Sequence, residues 1–315
     1  MNKEQFKNTI IDILSKENIE GIILLALKDG SLSILNLNNK DNEAIIKEYV
    51  KAVKSKCIES NYEIKNYSTA DERTDCFYVY DLAEEPESLQ QMRITKGEVE
   101  KLLPFNAKQH KLSEVASIIV ILSDGERNIV LFKNVYAIEI IGVQSRILVF
   151  PSSKDRFERA TNDMIRLTPD YDAMLVNDTF IITNLKNIER IQQLTQITLN
   201  VATARIEDID KIKIISNIDN VRDLVKEDIS LAKKVIKIVS ESPVLYKGVP
   251  NDKIIAFAKK KAAKFGKLTY TPDQSQFDIQ SKKELTRFLS ILNNDLLWSE
   301  LTEDDYLSPT KDLLK

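Results

Sequence analysis

The stretch VASIIVILSDGERNIVLFKNVYAIEII, residues 115–141, decides the fold class of this chain. Two apolar runs rich in β-branched residues flank Ser123-Asp124-Gly125-Glu126, and Asp-Gly is a strong signal for a hairpin turn. The stretch therefore predicts two antiparallel strands, Val115–Leu122 and Asn128–Ile141. Strand alternation predicts that the Glu139 carboxylate faces solvent.

The segments around this hairpin extend the pattern in both directions. Before it, helical spacing and alternation predict helix Asn2–Lys16, strands Gly21–Leu27 and Ser31–Leu37, helix Asp41–Lys56, and strands Tyr62–Tyr67 and Thr74–Leu82. After it, they predict strands Arg146–Phe150, Met164–Leu167, Ala173–Val176 and Phe180–Ile182. The middle of the chain is thus predicted to form a largely antiparallel sheet.

Helical periodicity dominates from Asn187 onward. The predicted helices are Ile188–Ala204, Val221–Val239, Asn251–Lys267, Lys282–Leu292 and a closing segment around Trp298, with a brief hairpin of Leu268–Thr271 and Phe277–Ile279. We predict an α+β protein with a small N-terminal α+β domain, residues 1–95, for partner or oligomer contacts. A larger domain, residues 96–315, is predicted to have a mostly antiparallel sheet backed by helices.

Composition bounds the class of protein. The chain has 315 residues, 43% of them hydrophobic, which is enough for a substantial core. The longest apolar runs, Ile22–Leu27 and Ile118–Leu122, are far shorter than the roughly 20 residues of a membrane helix. The N-terminal segment is polar and has no signal-peptide pattern, so a cytoplasmic location is expected.

Metal and redox chemistry have few candidate residues. Cys57 and Cys76 form no C-x-x-C motif and are predicted to be reduced, structural thiols. The single histidine, His110, lies in a polar K-Q-H-K segment, which argues against a histidine metal site or a Ser-His-Asp triad. We predict no metal and no cofactor.

Charge is distributed unevenly along the chain. The net charge is −3, yet residues 221–290 hold 15 Lys and Arg against 8 Asp and Glu, a net of +7. The remainder holds 30 against 40, a net of −10. This asymmetry predicts an anionic partner for the basic region.

The segment NDKIIAFAKKKAAKFGK, residues 251–267, concentrates that charge on one helix. Asn251 is predicted to be its N-cap and Gly266 its C-terminal stop. At about 100° per residue, four lysines gather on one face away from the apolar side: Lys253, Lys260, Lys264 and Lys267. A cationic helix face is as often merely solvated as functional, so neighbouring segments are needed to decide.

Two flanking helices add basic residues at helical spacing. Lys226, Lys233 and Lys237 follow one another on the preceding helix, and Lys282, Lys283 and Arg287 crowd the next one. If the three faces converge, they form a surface that binds DNA phosphates without reading sequence. Tyr246, Phe257, Phe265 and Tyr270 are assigned to the core, so stacking on single-stranded bases has less support. A membrane surface or an acidic protein is a rival partner, although the helix lacks a bulky Trp or Leu face for lipid.

A metal-dependent nuclease is the enzymatic alternative. Such an enzyme needs clustered carboxylates and a lysine on an adjacent strand. Pro169-Asp170 and Pro272-Asp273 are possible starting points, but neither is followed by an acid-x-Lys triplet. The chain also has no glycine-rich phosphate-binding motif. We predict a binding protein without catalytic residues.

The acidic C-terminal segment suggests a structural clasp. Thr302 and Asp305 are spaced as the cap of a short helix, and Tyr306 is predicted to lock that helix onto the core. Lys311 is predicted to face outward. The simplest interpretation is a clasp without a ligand.

Two segments carry a family resemblance. MIRLTPDYDAMLVNDTFII, residues 164–182, runs into the helical segment Asn187–Gln192, and FLSILNNDLLWSELT, residues 288–302, precedes Tyr306. Together they resemble the KwaB-like family of the Kiwa anti-phage defence system, over roughly Val115–Lys315. The resemblance implies a cytoplasmic DNA-binding protein that forms a homodimer or higher oligomer. It also implies recruitment to the inner face of the membrane by a KwaA-like membrane protein, and it supplies no catalytic residue.

Overall fold

The computed structural model describes residues 2–16, 18–70, 75–136, 139–141, 152–153, 156–157 and 163–308. The chain divides into two compact units. Unit 1 comprises Met1–Lys65, Thr74–Tyr80 and Glu85–Ile191, and unit 2 comprises Asn66–Arg73, Asp81–Glu84 and Gln192–Lys315. Both units combine helices with strands, which confirms the predicted α+β class.

Unit 1 is built on an eight-stranded sheet with the order β2-β1-β5-β6-β11-β12-β4-β3. The first twelve strands are β1 Glu20–Leu27, β2 Leu32–Ile34, β3 Glu63–Asn66, β4 Cys76–Val79, β5 Val115–Ser123, β6 Asn128–Asn134, β7 Ile140–Ile141, β8 Ser152–Ser153, β9 Arg156–Phe157, β10 Met164–Ile165, β11 Ala173–Val176 and β12 Thr179–Ile182. The pairs β1–β2, β1–β5, β5–β6, β6–β11, β11–β12 and β12–β4 are antiparallel, as predicted.

The central hairpin β5–β6 forms where the sequence predicts it, but its second strand ends at Asn134 instead of Ile141. Ser123 pairs with Asn128 at its end. The Asp124 carboxylate closes the turn by accepting hydrogen bonds from the backbone N–H groups of Glu126 (2.9 Å) and Arg127 (2.7 Å). Gly125 adopts φ +95°, which a glycine tolerates without steric cost.

Strand β1 explains why the first unit is larger than a 95-residue domain. It pairs with β5 from Glu20↔Ser123 to Leu27↔Val115. Consecutive residues such as Ile23 and Leu24 point to opposite faces of the sheet, and both are buried. The strand therefore lies inside the sheet and requires a partner that is distant in sequence. The predicted division between residues 95 and 96 therefore falls within unit 1.

Helices cover the core of unit 1. They are α1 Lys3–Leu14, α2 Asn39–Lys54, α3 Glu87–Gln90, α4 Lys96–Val99 and α5 Leu185–Ile188. Phe6 and Ile10 of α1 share a buried cluster with Ile46 and Tyr49 of α2 and with the inner faces of the central strands. Cys57 and Cys76 are buried free thiols, in agreement with the structural role predicted for the cysteines.

Unit 2 is mostly helical. Its elements are α6 Gln192–Asp210, α7 Ile218–Lys226, α8 Ile229–Glu241, α9 Pro243–Tyr246, α10 Asn251–Phe265, α11 Lys282–Leu292, β13 Leu296–Ser299 and β14 Asp304–Leu307. Phe277 and Phe288 lie at the centre of its core, with ring centroids 5.2 Å apart. The single helix predicted for Val221–Val239 is wrong, because Asp228 caps a new helix by accepting from the Ser230 N–H (2.9 Å).

The C-terminal prediction is also wrong. Trp298 lies in β13, which pairs with β14 to form a two-stranded hairpin instead of a closing helix. Asn294 and Glu303 adopt positive φ angles, 57° and 54°, at the start and the turn of this hairpin. Tyr306 is half-exposed, and its hydroxyl contacts the Thr302 hydroxyl (3.0 Å) instead of the core.

The remaining predicted elements are a short hairpin in unit 2 and two features outside the described residues. The brief hairpin predicted for Leu268–Thr271 and Phe277–Ile279 is reduced to one antiparallel bridge, Tyr270↔Phe277. The strand predicted at Arg146–Phe150 and the orientation predicted for Lys311 lie outside the described residues. Across the ranges that are described, every helix is too short or too polar to cross a bilayer.

Candidate nucleic-acid interface

Helix α10 presents the basic surface because its other side is fixed in the core of unit 2. Ile254, Ile255 and Ala258 are buried there. The N-cap prediction is wrong: Pro250 occupies the cap position, and the Asn251 amide instead donates to the Ile212 carbonyl (2.7 Å). The predicted stop is confirmed, since the helix ends at Gly266 with φ +102°.

The four lysines predicted for this face are exposed. Lys253, Lys260 and Lys264 lie along α10, and Lys267 follows its C-terminus. Within the described part of the chain, Lys253, Lys260 and Lys267 form no ion pair. We call these three residues the ridge. Their charge is therefore available to an anionic partner.

A cleft of about 520 Å³ opens beside the ridge, between α10, α11 and the hairpin β13–β14. Its cations are Lys261 and Lys264 from α10 and Lys283 and Arg287 from α11. The other lining residues are Phe265, Thr286, Leu296, Asp305, Tyr306 and Leu307. Lys264, Lys283 and Arg287 were predicted from the sequence, whereas Lys261 was not, because it joins the site through Asp305 of the hairpin.

Arg287 is held in a fixed orientation by the end of α10. Its Nη1 donates to the Lys267 carbonyl (2.9 Å), one of the carbonyls beyond the end of the helix. A Cβ atom on Gly266 would lie 2.3 Å from the guanidinium carbon, so the glycine leaves the space that Arg287 fills. Gly266 thus terminates α10 and leaves space for the Arg287 side chain, one of the cations of the cleft.

Asp305 neutralises part of the cleft. Its carboxylate accepts hydrogen bonds from the Lys261 and Lys264 ammonium groups, the latter at 3.1 Å. The hydrogen bond from Lys261 has the largest effect, followed by the one from Lys264, and together they hold the pKa of Asp305 below its ordinary value of 3.8. The carboxylate is therefore ionised at neutral pH. Among the residues that the structure describes, Lys283 and Arg287 have no carboxylate partner.

The remaining predicted cations lie elsewhere. Lys282 turns toward Glu227 (3.5 Å) and Asp228 (4.0 Å). Lys233 and Lys237 are half-buried on α8 and do not line the cleft. The cleft is therefore formed by two of the three predicted helices, together with a hairpin that the sequence did not predict.

Unit 1 contains a separate buried ion-pair cluster. Glu139, predicted to face solvent, is only 7% exposed and lies 3.1 Å from the Lys133 ammonium group, so that prediction is wrong. Lys133, also 7% exposed, donates to Asp170 and to the Thr168 hydroxyl (2.8 Å). Burial lowers the pKa of Lys133, but the hydrogen bonds to Asp170 and Glu139 outweigh it, and the pKa lies above its ordinary value.

This cluster has the residue types of a nuclease site but a different arrangement. The lysine ammonium contacts both carboxylates directly, Glu139 and Asp170, so it occupies the position where a cation would bind them. In the described ranges, no group of three or more His, Cys, Asp or Glu side chains is arranged to hold a metal ion. We interpret the cluster as a structural ion pair.

Comparison with known proteins gives the family. The family model described as Kiwa protein KwaB-like matches residues 112–302, which include α10, α11 and β13. The chain belongs to the KwaB-like family. Kiwa protein KwaB of Escherichia coli O55:H7 (strain RM12579 / EPEC) is 23% identical over 322 residues, which cover 100% of this chain and 99% of that protein. No solved structure matches this KwaB-like chain.

Proposed function

We propose that this KwaB-like protein acts in anti-phage defence by binding DNA through the phosphate backbone, without strong sequence specificity. The observation that supports the proposal is the cleft, where Lys264, Lys283 and Arg287 lie side by side next to the ridge of exposed lysines. Lysine and arginine at such spacing neutralise phosphates and release counterions, which favours binding to any sequence. The Asn and Gln side chains that read base edges are not part of the cleft lining.

The proposal has a direct binding test. Two unrelated duplexes of equal length should bind purified full-length protein with similar affinity in a gel-shift assay. If about four cations contact phosphates, the logarithm of the binding constant should fall with the logarithm of salt concentration with a slope of about −3.6. A strong preference for one duplex, or a flat salt dependence, would contradict backbone binding.

A second assay distinguishes DNA binding without cleavage from nuclease activity. We propose that the protein binds DNA without cleaving it, because Lys133 already compensates Glu139 and Asp170. Plasmid incubated with the protein and Mg²⁺ or Mn²⁺ should stay supercoiled. Nicked or linear plasmid that disappears when a chelator is added would favour the nuclease instead.

Membership of the KwaB-like family supports proposals about the partners and the location of this protein. A KwaA-like membrane protein would recruit this protein to the inner face of the membrane, where incoming phage DNA arrives. A homodimer or higher oligomer would multiply the basic surfaces that contact one DNA molecule, which strengthens binding by increasing the effective concentration. The predicted role of residues 1–95 in these contacts stays a prediction.

Asp305 offers a prediction about the cleft itself. Asp305→Asn removes the carboxylate that pairs with Lys261 and Lys264, so DNA affinity should rise and the salt slope should steepen by about one unit. Fluorescence anisotropy with a labelled duplex over a salt series measures both quantities. Asp304→Asn is the matched control, because Asp304 is the neighbouring exposed residue and no ion pair joins it to the lysines within the described chain. Equal increases in DNA affinity in both variants would show that the effect depends only on net charge.

A further inference from the structure

The hairpin β13–β14 exposes large apolar side chains beside the cleft. They are Leu297, Trp298, Leu301, Tyr306 and Leu307. Exposed aromatic and aliphatic side chains grouped in this way are typical of a binding surface, because folding alone gains nothing from leaving them in water. Two of these side chains, Tyr306 and Leu307, line the cleft together with its four cations, which restricts the kind of partner.

Trp298 is an exposed aromatic side chain that contacts two of the cleft cations. In the hairpin register it is opposite Asp305, so the two side chains lie on the same face of the hairpin. The ammonium groups of Lys261 and Lys264 lie 5.5 and 5.8 Å from the centre of a Trp298 ring. Both cations favour the face of the ring and fix its orientation. The indole is nevertheless 52% exposed, so part of it is accessible to a ligand.

A nucleic acid strand satisfies both features at once. Its phosphates match Lys264, Lys283 and Arg287, and a base can stack on an exposed indole. In a duplex, each base face is covered by the neighbouring base pairs, so an aromatic side chain gains nothing from it. The combination of a half-exposed indole with a row of cations therefore favours an unpaired strand over a duplex.

We propose that the cleft and the Trp298 ring beside it form a single-stranded DNA site, in which a base stacks on Trp298 while flanking phosphates bind Lys264, Lys283 and Arg287. This inference rests on the proposed DNA-binding function and adds the class of DNA that the cleft prefers. Duplex DNA binds through its phosphates alone, at the cleft cations and at the ridge of Lys253, Lys260 and Lys267, and gains nothing from Trp298. An apolar protein partner fits less well, because it would have to desolvate the cations that line the cleft.

The test uses Trp298 as its own reporter. The chain has one tryptophan, so its fluorescence emission reports on this ring alone. Full-length protein titrated with a deoxythymidine oligonucleotide of about 10 nucleotides should lose Trp298 emission as a base stacks on the ring. A duplex of the same length should bind more weakly and should leave the emission nearly unchanged. This measurement uses the unmodified protein, so the result cannot come from a variant that fails to fold.

Substitution gives the second measurement. Trp298→Leu should weaken binding to a labelled oligonucleotide about 10- to 100-fold, the range expected for one stacked base, and leave duplex binding unchanged. Trp298→Phe keeps a ring and should retain most of the affinity. Tyr246→Leu is the matched control, because Tyr246 is 92% exposed on α9, contrary to the core position predicted for it, and no cation among the described residues lies over its ring.

The outcomes separate this inference from the proposed function. Duplex binding with no change in Trp298 emission on adding the oligonucleotide overturns the single-strand site and leaves backbone binding in place. Failure to bind either form of DNA overturns the proposed function itself. Emission that changes with protein concentration alone, and not with the oligonucleotide, assigns the hairpin to a contact between copies of this chain and also overturns the inference.

Discussion

Reversing three of the four cleft cations should nearly abolish DNA binding. In the variant Lys264→Glu, Lys283→Glu, Arg287→Glu, three cations that line one cleft become anions. Loss of three phosphate contacts flattens the salt slope by about 2.7 units, which corresponds to an affinity loss on the order of 500-fold at about 0.1 M salt. A gel-shift titration over a salt series measures the slope and the affinity together.

A charge-matched control distinguishes the cleft from overall charge. Lys96, Lys101 and Lys108 are exposed in unit 1, and changing them to glutamate alters the net charge by the same amount. This control should bind DNA nearly as well as the unmodified protein, because these three lysines do not line the cleft. Equal losses in the two variants would show that binding responds to net charge and not to the cleft.

The ridge is tested separately from the cleft. Lys253, Lys260 and Lys267 changed to glutamate should weaken binding to a duplex more than binding to a single strand, because the single strand also gains affinity from stacking on Trp298. Comparing this variant with the cleft variant on both forms of DNA assigns each surface to its ligand. The same loss on both forms from both variants would mean one continuous surface.

Local patterns were sufficient to predict most elements of the fold. The Asp124-Gly125 turn, the apolar runs beside it and the strand Ala173–Val176 depend on residues close in sequence, and the structure has them at the predicted positions. The pairing of β1 with β5 depends on residues about ninety positions apart. No local pattern specifies which buried strand becomes its neighbour, so the division into units could not be read from the sequence.

The candidate site shows the same limit at the level of side chains. Helix α10 and the exposure of Lys260 and Lys264 follow from amphipathic spacing. Lys261 is one residue away and joins the site only because Asp305 reaches it from β14. The two asparagines before Asp295 were the available signal, since asparagine tolerates positive φ and Asn294 adopts φ 57° where the helical spacing was taken to continue.

Glu139 illustrates a failure of strand alternation. The period of two in the sequence near Glu139 predicts a solvent-facing carboxylate, but its environment is set by Lys133 and by Asp170, which is distant in sequence. A charged side chain is rarely buried unless it is paired. Its partner lies six residues earlier, in β6, whereas Glu139 lies in a turn before β7, so strand alternation does not apply to Glu139.

Removing Lys133 should have the largest effect on stability in unit 1. Lys133→Met keeps a side chain of similar length but leaves the buried Glu139 carboxylate without its cation. Losing one partner of a buried ion pair costs about 3–5 kcal/mol, because the remaining charge stays desolvated and uncompensated. Hydrogen exchange of the amides in β5 and β6 measures the loss within unit 1, where a single unfolding curve for two compact units would average over both.

Two further variants determine whether the lost ion pair is the cause. Adding Glu139→Gln to Lys133→Met removes the stranded charge and should recover a large part of the protection, since a double-mutant cycle isolates the interaction between the two residues. Lys51→Met breaks the exposed pair between Lys51 and Glu48 in α2 and should change stability by less than about 1 kcal/mol. If Lys133→Met costs no more than Lys51→Met, the cluster is not what stabilises unit 1. The burial of Lys133 and Glu139 would then need an explanation other than structural stabilisation.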